Sequence, residues 1–197
     1  MNTAYKLQGI HRHYEWGGSA FIPQLMQLDN TIGKPFAEYW MGAHPSASAL
    51  VATSEGQKAL DQMIQENKAH FLGSNIADQF GTLPYLFKIL DVEKMLSIQV
   101  HPSKENAEKG FLKEQLAGVP IDAAHRNYKD QNHKPEVMVA LSDFWLLHGF
   151  MPANALKERL ASLAPLQSLL DVFGLEDYAG LYGHFMRLDQ PAADKIL

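Results

Sequence analysis

Ser97-Ile98-Gln99-Val100-His101-Pro102 and, further along, Asn132-His133-Lys134-Pro135-Glu136 are the two stretches on which the reading of this chain turns. In an extended strand side chains alternate between faces, so Gln99 and His101 share one side while Ile98 and Val100 share the other. Pro135 lacks an amide hydrogen and suits the first residue of a strand; Glu136, Met138 and Ala140 then line one face and Val137, Val139 and Leu141 the opposite one. An amide oxygen, an imidazole and a carboxylate brought to one cavity form a ligand set for a borderline divalent ion such as zinc, with iron, manganese or cobalt as substitutes. On spacing alone, a Gln-x-His pair reads more readily as a hydrogen-bonded surface pair.

Working outward, the 197 residues are 46% hydrophobic and carry a formal net charge of -5, enough apolar content to bury a core and too acidic for a broad nucleic-acid surface. There is no cysteine, so thiolate ligands, disulfides and thiol nucleophiles are excluded and any metal must be held by nitrogen and oxygen. The apolar runs are too short to span a bilayer, and Met1-Asn2-Thr3-Ala4-Tyr5-Lys6 lacks a basic and then apolar signal pattern. A cytoplasmic protein is the expectation, with no nucleic acid or membrane as partner.

Strands are expected over 5–11, 36–42, 49–52, 85–90, 95–101 and 136–141, each short and bounded by turn residues. Helices are expected over 59–66, from Ser74 to Gly81, and from a Ser103 cap towards Gly118. Beyond Met151 the character changes. Asn154 is a candidate cap, Leu156, Leu160 and Leu163 fall on one helical face, and Pro165 interrupts before Leu166, Leu169, Leu170, Leu181, Phe185 and Leu188 continue the apolar pattern. The leucine stripe reads as core. Asp189-Gln190-Pro191 starts a last helix, and Ile196-Leu197 close the chain without a stop signal, the pattern expected of a fragment. The residues themselves therefore indicate a mixed α+β chain, strand-heavy over 1–151 and helical over 152–197.

Five words in order resemble the type I phosphomannose isomerases, zinc-dependent enzymes of the cupin class: Tyr14-Glu15-Trp16-Gly17-Gly18; Ala37-Glu38-Tyr39-Trp40-Met41-Gly42-Ala43-His44-Pro45; Leu83-Pro84-Tyr85-Leu86-Phe87-Lys88; Leu96 to Pro102; and Asn127 to Glu136. The resemblance covers about the first 150 residues firmly. It implies a β-rich cupin-like jelly roll, present in part, followed by the start of a helical domain. It also implies Gln99, His101 and Glu136 as ligands of one zinc ion. The family's fourth ligand, a histidine, and an arginine thought to act at the substrate belong to later motifs that these residues do not contain.

The implied reaction interconverts mannose 6-phosphate and fructose 6-phosphate by moving a proton between adjacent sugar carbons through an enediol-like intermediate. Lys134 and His133 are the candidate proton-handling residues, the alternative being a solvated loop before a strand. Lys88 follows an apolar run, where its ammonium needs an anionic partner; the substrate phosphate serves, as does a salt bridge to Asp91, Glu93 or another carboxylate. Ser97, on the Gln99 face, is implied as a phosphate contact. Trp16 and Trp40 read as packing residues and Gly17-Gly18 as a tight turn. Glu38 reads either as a residue orienting a ligand or as a buried salt-bridge partner. Two other functions stay open: a noncatalytic metal- or sugar-phosphate-binding cupin module, and a cupin metal oxygenase, for which His101 lacks a second histidine close by.

Overall fold

The computed structural model describes residues 4–96, 99–145 and 147–196. The chain forms two compact units, Met1–Phe144 and Trp145–Leu197. No helix among the described residues is long and apolar enough to cross a membrane.

The first unit contains two three-stranded antiparallel sheets. One has the order β1 (Leu7–Gln8), β4 (Leu50–Thr53), β5 (Gly56–Ala59); the other has β2 (Ile10–Arg12), β3 (Glu38–Gly42), β6 (Leu86–Leu90). The single strand expected over 5–11 is therefore split between two sheets. At the break, the Gly9 amide leaves the ladder and donates to the Tyr39 hydroxyl at 2.7 Å. Strands β3, β4 and β6 form where alternation and flanking turn residues place them. The second sheet's register sets Arg12 opposite Glu38 and Trp40 opposite Lys88. Directly opposed residues share a face, so these four line one side of the sheet. Tyr39, Met41 and Ile89 line the other and pack with Ile22 and Phe36 into the core. Ile22 comes from α1 (Phe21–Leu25), whose first amides, Phe21 and Ile22, donate to the Asp91 carboxylate at 3.1 and 3.4 Å.

Gly17 and Gly18 serve close approach more than turning. A β-carbon on Gly17 would stand 2.5 Å from the Ala37 Cα, and one on Gly18 would collide with the Asp91 carboxylate. The unit also holds α2 (Leu60–Glu66), α3 (Lys68–Leu72), α4 (Ser74–Phe80) and α5 (Lys104–Leu116). Ser103 caps α5 through the Asn106 amide as its sequence position predicts, and α4 ends on a left-handed Gly81. Ser74 lies inside α4 and makes no cap bond, so the cap expected of it is corrected.

Two expected strands are not seen among the described residues. Among the described residues, 95–101 and 136–141 carry no ladder. A strand exists through its pairing partner, and none of the described strands lies alongside either segment. Val137, Val139 and Leu141 are consequently 94%, 77% and 73% exposed instead of packed.

The second unit is helical: α6 (Ala153–Ser162), a 3-10 turn (Ala164–Leu166), α7 (Gln167–Met186) and α8 (Gln190–Ala193). Leu160, Leu169 and Phe173 form its core, with Leu156, Leu166, Leu170, Leu181 and Phe185 around them. Pro165 breaks the helix as expected. Two details differ: Pro152, not Asn154, occupies the α6 cap position, and Leu163 is exposed because the helix has ended at Ser162. Asp189 caps α8 by accepting from the Ala192 amide at 2.9 Å. Asp177, at φ 57, divides α7 and accepts from the Ala179 amide, capping the second half.

Candidate metal and substrate site

Three groups of residues in the first unit carry chemistry, and each is positioned differently. His101 and Glu136 come from sequence-distant segments and meet, with Nε2 3.8 Å from a carboxylate oxygen. Both are partly solvated, at 34% and 57% side-chain exposure. Two ligand atoms on a tetrahedral zinc with bonds of about 2.0–2.1 Å stand roughly 3.3 Å apart, so this pair lies within a few tenths of an ångström of the spacing one ion needs. The imidazole and carboxylate fit such an ion. Gln99 is exposed and makes no hydrogen bond to either residue among the described ones. The described residues also contain no cluster of three His, Asp or Glu side chains arranged to hold a metal.

The second group is the polar face of the β2-β3-β6 sheet. Glu38, only 7% exposed, accepts from the Trp40 indole at 2.6 Å, and its other oxygen lies 3.6 Å from the Lys88 ammonium. Lys88 thus pairs with Glu38, not with Asp91, which caps α1, nor with Glu93. The same ammonium stands 5.0 Å from the Trp40 ring centre and the Arg12 guanidinium 5.1 Å from it. Trp40 therefore does more than pack: it holds the carboxylate by its edge and two cations by its π system. His44 meets the Trp40 ring edge-on at 5.2 Å. Its imidazole is held below the ordinary 6.5, first by burial, with Asp130 opposing and Lys134, Lys88 and Arg12 adding to the depression.

The third group is the loop from Asn127 to Lys134. Its root is fixed to α5: Glu114 accepts from the Asn127 and Tyr128 amides at 3.0 and 2.8 Å, which holds its carboxyl below the usual 4.5. Buried Arg126 donates to the Tyr128 and Val119 carbonyls, lies 3.8 Å from Glu114 and covers the Phe111 ring. Lys104 reaches the Gln131 carbonyl at 2.9 Å. At the tip, Lys134 is 3.4 Å from Asp130, and His133 is exposed. Ser97, expected at the phosphate, lies outside the described residues.

Sequence reasoning named Lys88 and Glu38 separately and missed Arg12, Asp130, Glu114 and Arg126. Arg12 was legible only as the neighbour of the Tyr14 word; its place on the same sheet face as Lys88 depends on register. The Glu114 to Arg126 tie carries no motif at all.

Comparison with known proteins gives the family. The sequence profile of the type I phosphomannose isomerase catalytic domain matches residues 4–153, and the chain belongs to that family. Mannose-6-phosphate isomerase of Salmonella typhimurium is 43% identical over 169 residues, 85% of this chain and 43% of that protein. The Escherichia coli K12 mannose-6-phosphate isomerase is 43% identical over 160 residues, covering 81% and 41%. A crystal structure of the Salmonella enzyme bound to its substrate (f6p) and zinc is similar with a TM-score of 0.82 and 37% identity, covering 98% of this chain and 50% of that one. The chain thus spans half or less of the length of these relatives. The noncatalytic-module and oxygenase alternatives are not favoured by these matches.

Proposed function

We propose that this chain supplies one wall of a zinc-dependent isomerase that interconverts mannose 6-phosphate and fructose 6-phosphate. The observation that carries the reading is the meeting of His101 and Glu136. Gln99, His101 and Glu136 would hold the ion, which when bound supplies Lewis-acid stabilisation of negative charge developing on the sugar oxygens. A proton leaves one sugar carbon and returns to its neighbour through an enediol, so the protein must present a group that accepts and returns it. Lys134 and His133, on the loop tied to α5, are the residues assigned to that task. Lys88 and Ser97 are assigned to the phosphate; the Lys88 to Glu38 separation of 3.6 Å exceeds a hydrogen bond and leaves ammonium donors for an incoming anion. In this reading residues 1–151 are the N-terminal part of a cupin-like jelly roll, residues 152–197 begin a helical domain, and the protein works in the cytoplasm.

The test is conversion of mannose 6-phosphate to fructose 6-phosphate by the purified chain with added zinc, against Glu136→Ala. Zinc-dependent turnover that the substitution abolishes supports the proposal. Turnover unaffected by Glu136→Ala refutes the ligand assignment. Absence of turnover, together with no zinc binding by calorimetry, refutes the metal reading for this chain.

A further inference from the structure

We propose that Arg12 is a second cation of the anion-recognition site, binding the phosphate of a sugar phosphate together with Lys88 across the Trp40 indole. The inference rests on the isomerase reading for its substrate class, but its evidence is separate from the metal pair.

The sheet register makes the placement. Arg12 opposes Glu38 and Lys88 opposes Trp40, so both cations rise from the same face, one from each strand flanking β3. The two contact one ring, at 5.1 and 5.0 Å from its centre. Such packing holds a guanidinium in place without consuming its hydrogen-bond donors. Arg12 makes one side-chain hydrogen bond, from Nε to the Tyr14 hydroxyl at 3.1 Å, and its remaining N–H groups have no bonded partner among the described residues. No carboxylate among the described residues forms an ion pair with Arg12. Glu38, the buried carboxylate of this face, is engaged by the Trp40 indole and by Lys88.

Among the side chains of the sheet face itself, two cations therefore stand against one carboxylate, while the nearby Asp130 is paired with Lys134 at 3.4 Å. A phosphate is an anionic ligand suited to this cationic face, and a planar guanidinium offers it two parallel donors where an ammonium offers a point charge. Arg12 in this role is a substrate-binding residue that favours phosphorylated over neutral sugars.

The experiment measures binding of inorganic phosphate, fructose 6-phosphate and fructose by calorimetry to the chain and to Arg12→Met and Arg12→Lys, at several salt concentrations. Losing a charge-assisted hydrogen bond pair weakens both phosphate ligands by about 10- to 100-fold in Arg12→Met, with a shallower salt dependence. Arg12→Lys keeps the charge and loses the fork, so it falls between wild type and Arg12→Met. Fructose affinity is unchanged in either variant. Equal weakening of fructose and fructose 6-phosphate overturns the proposal, because it marks a general structural effect. Wild-type binding of fructose 6-phosphate that Arg12→Met leaves intact also overturns it while the isomerase reading stands. Arg12-dependent phosphate binding without sugar-phosphate conversion upholds the proposal and counts against the isomerase reading of this chain. A wild-type chain that binds neither phosphate ligand overturns it.

Discussion

Alanine at Gly17 is expected to destabilise the first unit more than alanine at Gly18, although the added carbon would come closer to its nearest neighbour at Gly18. The added carbon on Gly17 would meet the Ala37 backbone, with its Cα and N at 2.5 and 2.6 Å. That backbone cannot yield cheaply, because the Ala37 amide donates to the Arg12 carbonyl and its carbonyl accepts from the Asp91 amide, both at 2.9 Å. Relief requires shifting the sheet, and overpacking of this kind costs roughly 1–3 kcal/mol, at the upper end where the obstacle is main chain. At Gly18 the obstacle is the Asp91 carboxylate, which can rotate away. What is then lost is its bonds to the Phe21 and Ile22 amides, about 0.5–2 kcal/mol as for any helix cap. The two sites therefore differ in coupling: with Asp91→Ala already present, Gly18→Ala costs little more, whereas Gly17→Ala adds its full cost. Urea unfolding followed by tryptophan fluorescence in a Trp145→Phe background reads the first unit alone, since Trp16 and Trp40 lie there and Trp145 is 94% exposed. Gly17→Ala within about 0.5 kcal/mol of wild type, or strict additivity of Gly18→Ala with Asp91→Ala, refutes this reasoning.

Zinc is expected to raise the melting temperature of wild type and of Lys134→Met but not of His101→Ala or Glu136→Ala, which differential scanning calorimetry checks. Glu114, whose carboxyl is held low by the Asn127 and Tyr128 amides, stabilises the fold fully above pH 4.5 and loses that contribution as pH falls through its folded pKa. Urea midpoints should therefore drop on acidification in wild type and less in Glu114→Gln. The His44 pKa is lowered, first by burial, so the unfolded chain takes up its proton first; its contribution to stability is fully present above pH 6.5 and declines as pH falls from there, a step that His44→Asn should flatten. In the second unit, Phe173→Ala removes the 4%-exposed centre of the core and should cost about 3–5 kcal/mol of helical stability by circular dichroism.

Much of the fold was legible because its signals are local. The alternation in Glu38 to Gly42 and Leu86 to Leu90, the Ser103 cap and the left-handed Gly81 each depend on a few neighbouring residues. Segments 95–101 and 136–141 carry equally good alternation and yet form no ladder among the described residues, because alternation reports what a strand would bury and not whether a partner arrives. The same limit governs the site. His101 and Glu136 were singled out through the family resemblance of the words they stand in, whereas the Lys88, Glu38 and Arg12 arrangement depends on strand register, which no short window encodes.

The tie between α5 and the loop root has a consequence for variation in this protein. Glu114 and Arg126 are assigned no contact with metal or substrate, yet they set where the Asn127 to Lys134 segment is anchored against the helix. On the isomerase reading proposed above, both positions should appear as intolerant as Glu136 in a saturation mutagenesis screen scored by growth on mannose. A screen scored by abundance would separate them, because changes at Glu114 and Arg126 lower protein level while Glu136→Ala leaves a present but silent protein. Apparent active-site intolerance in this segment would then mark two populations, one chemical and one architectural, divided at about Tyr128.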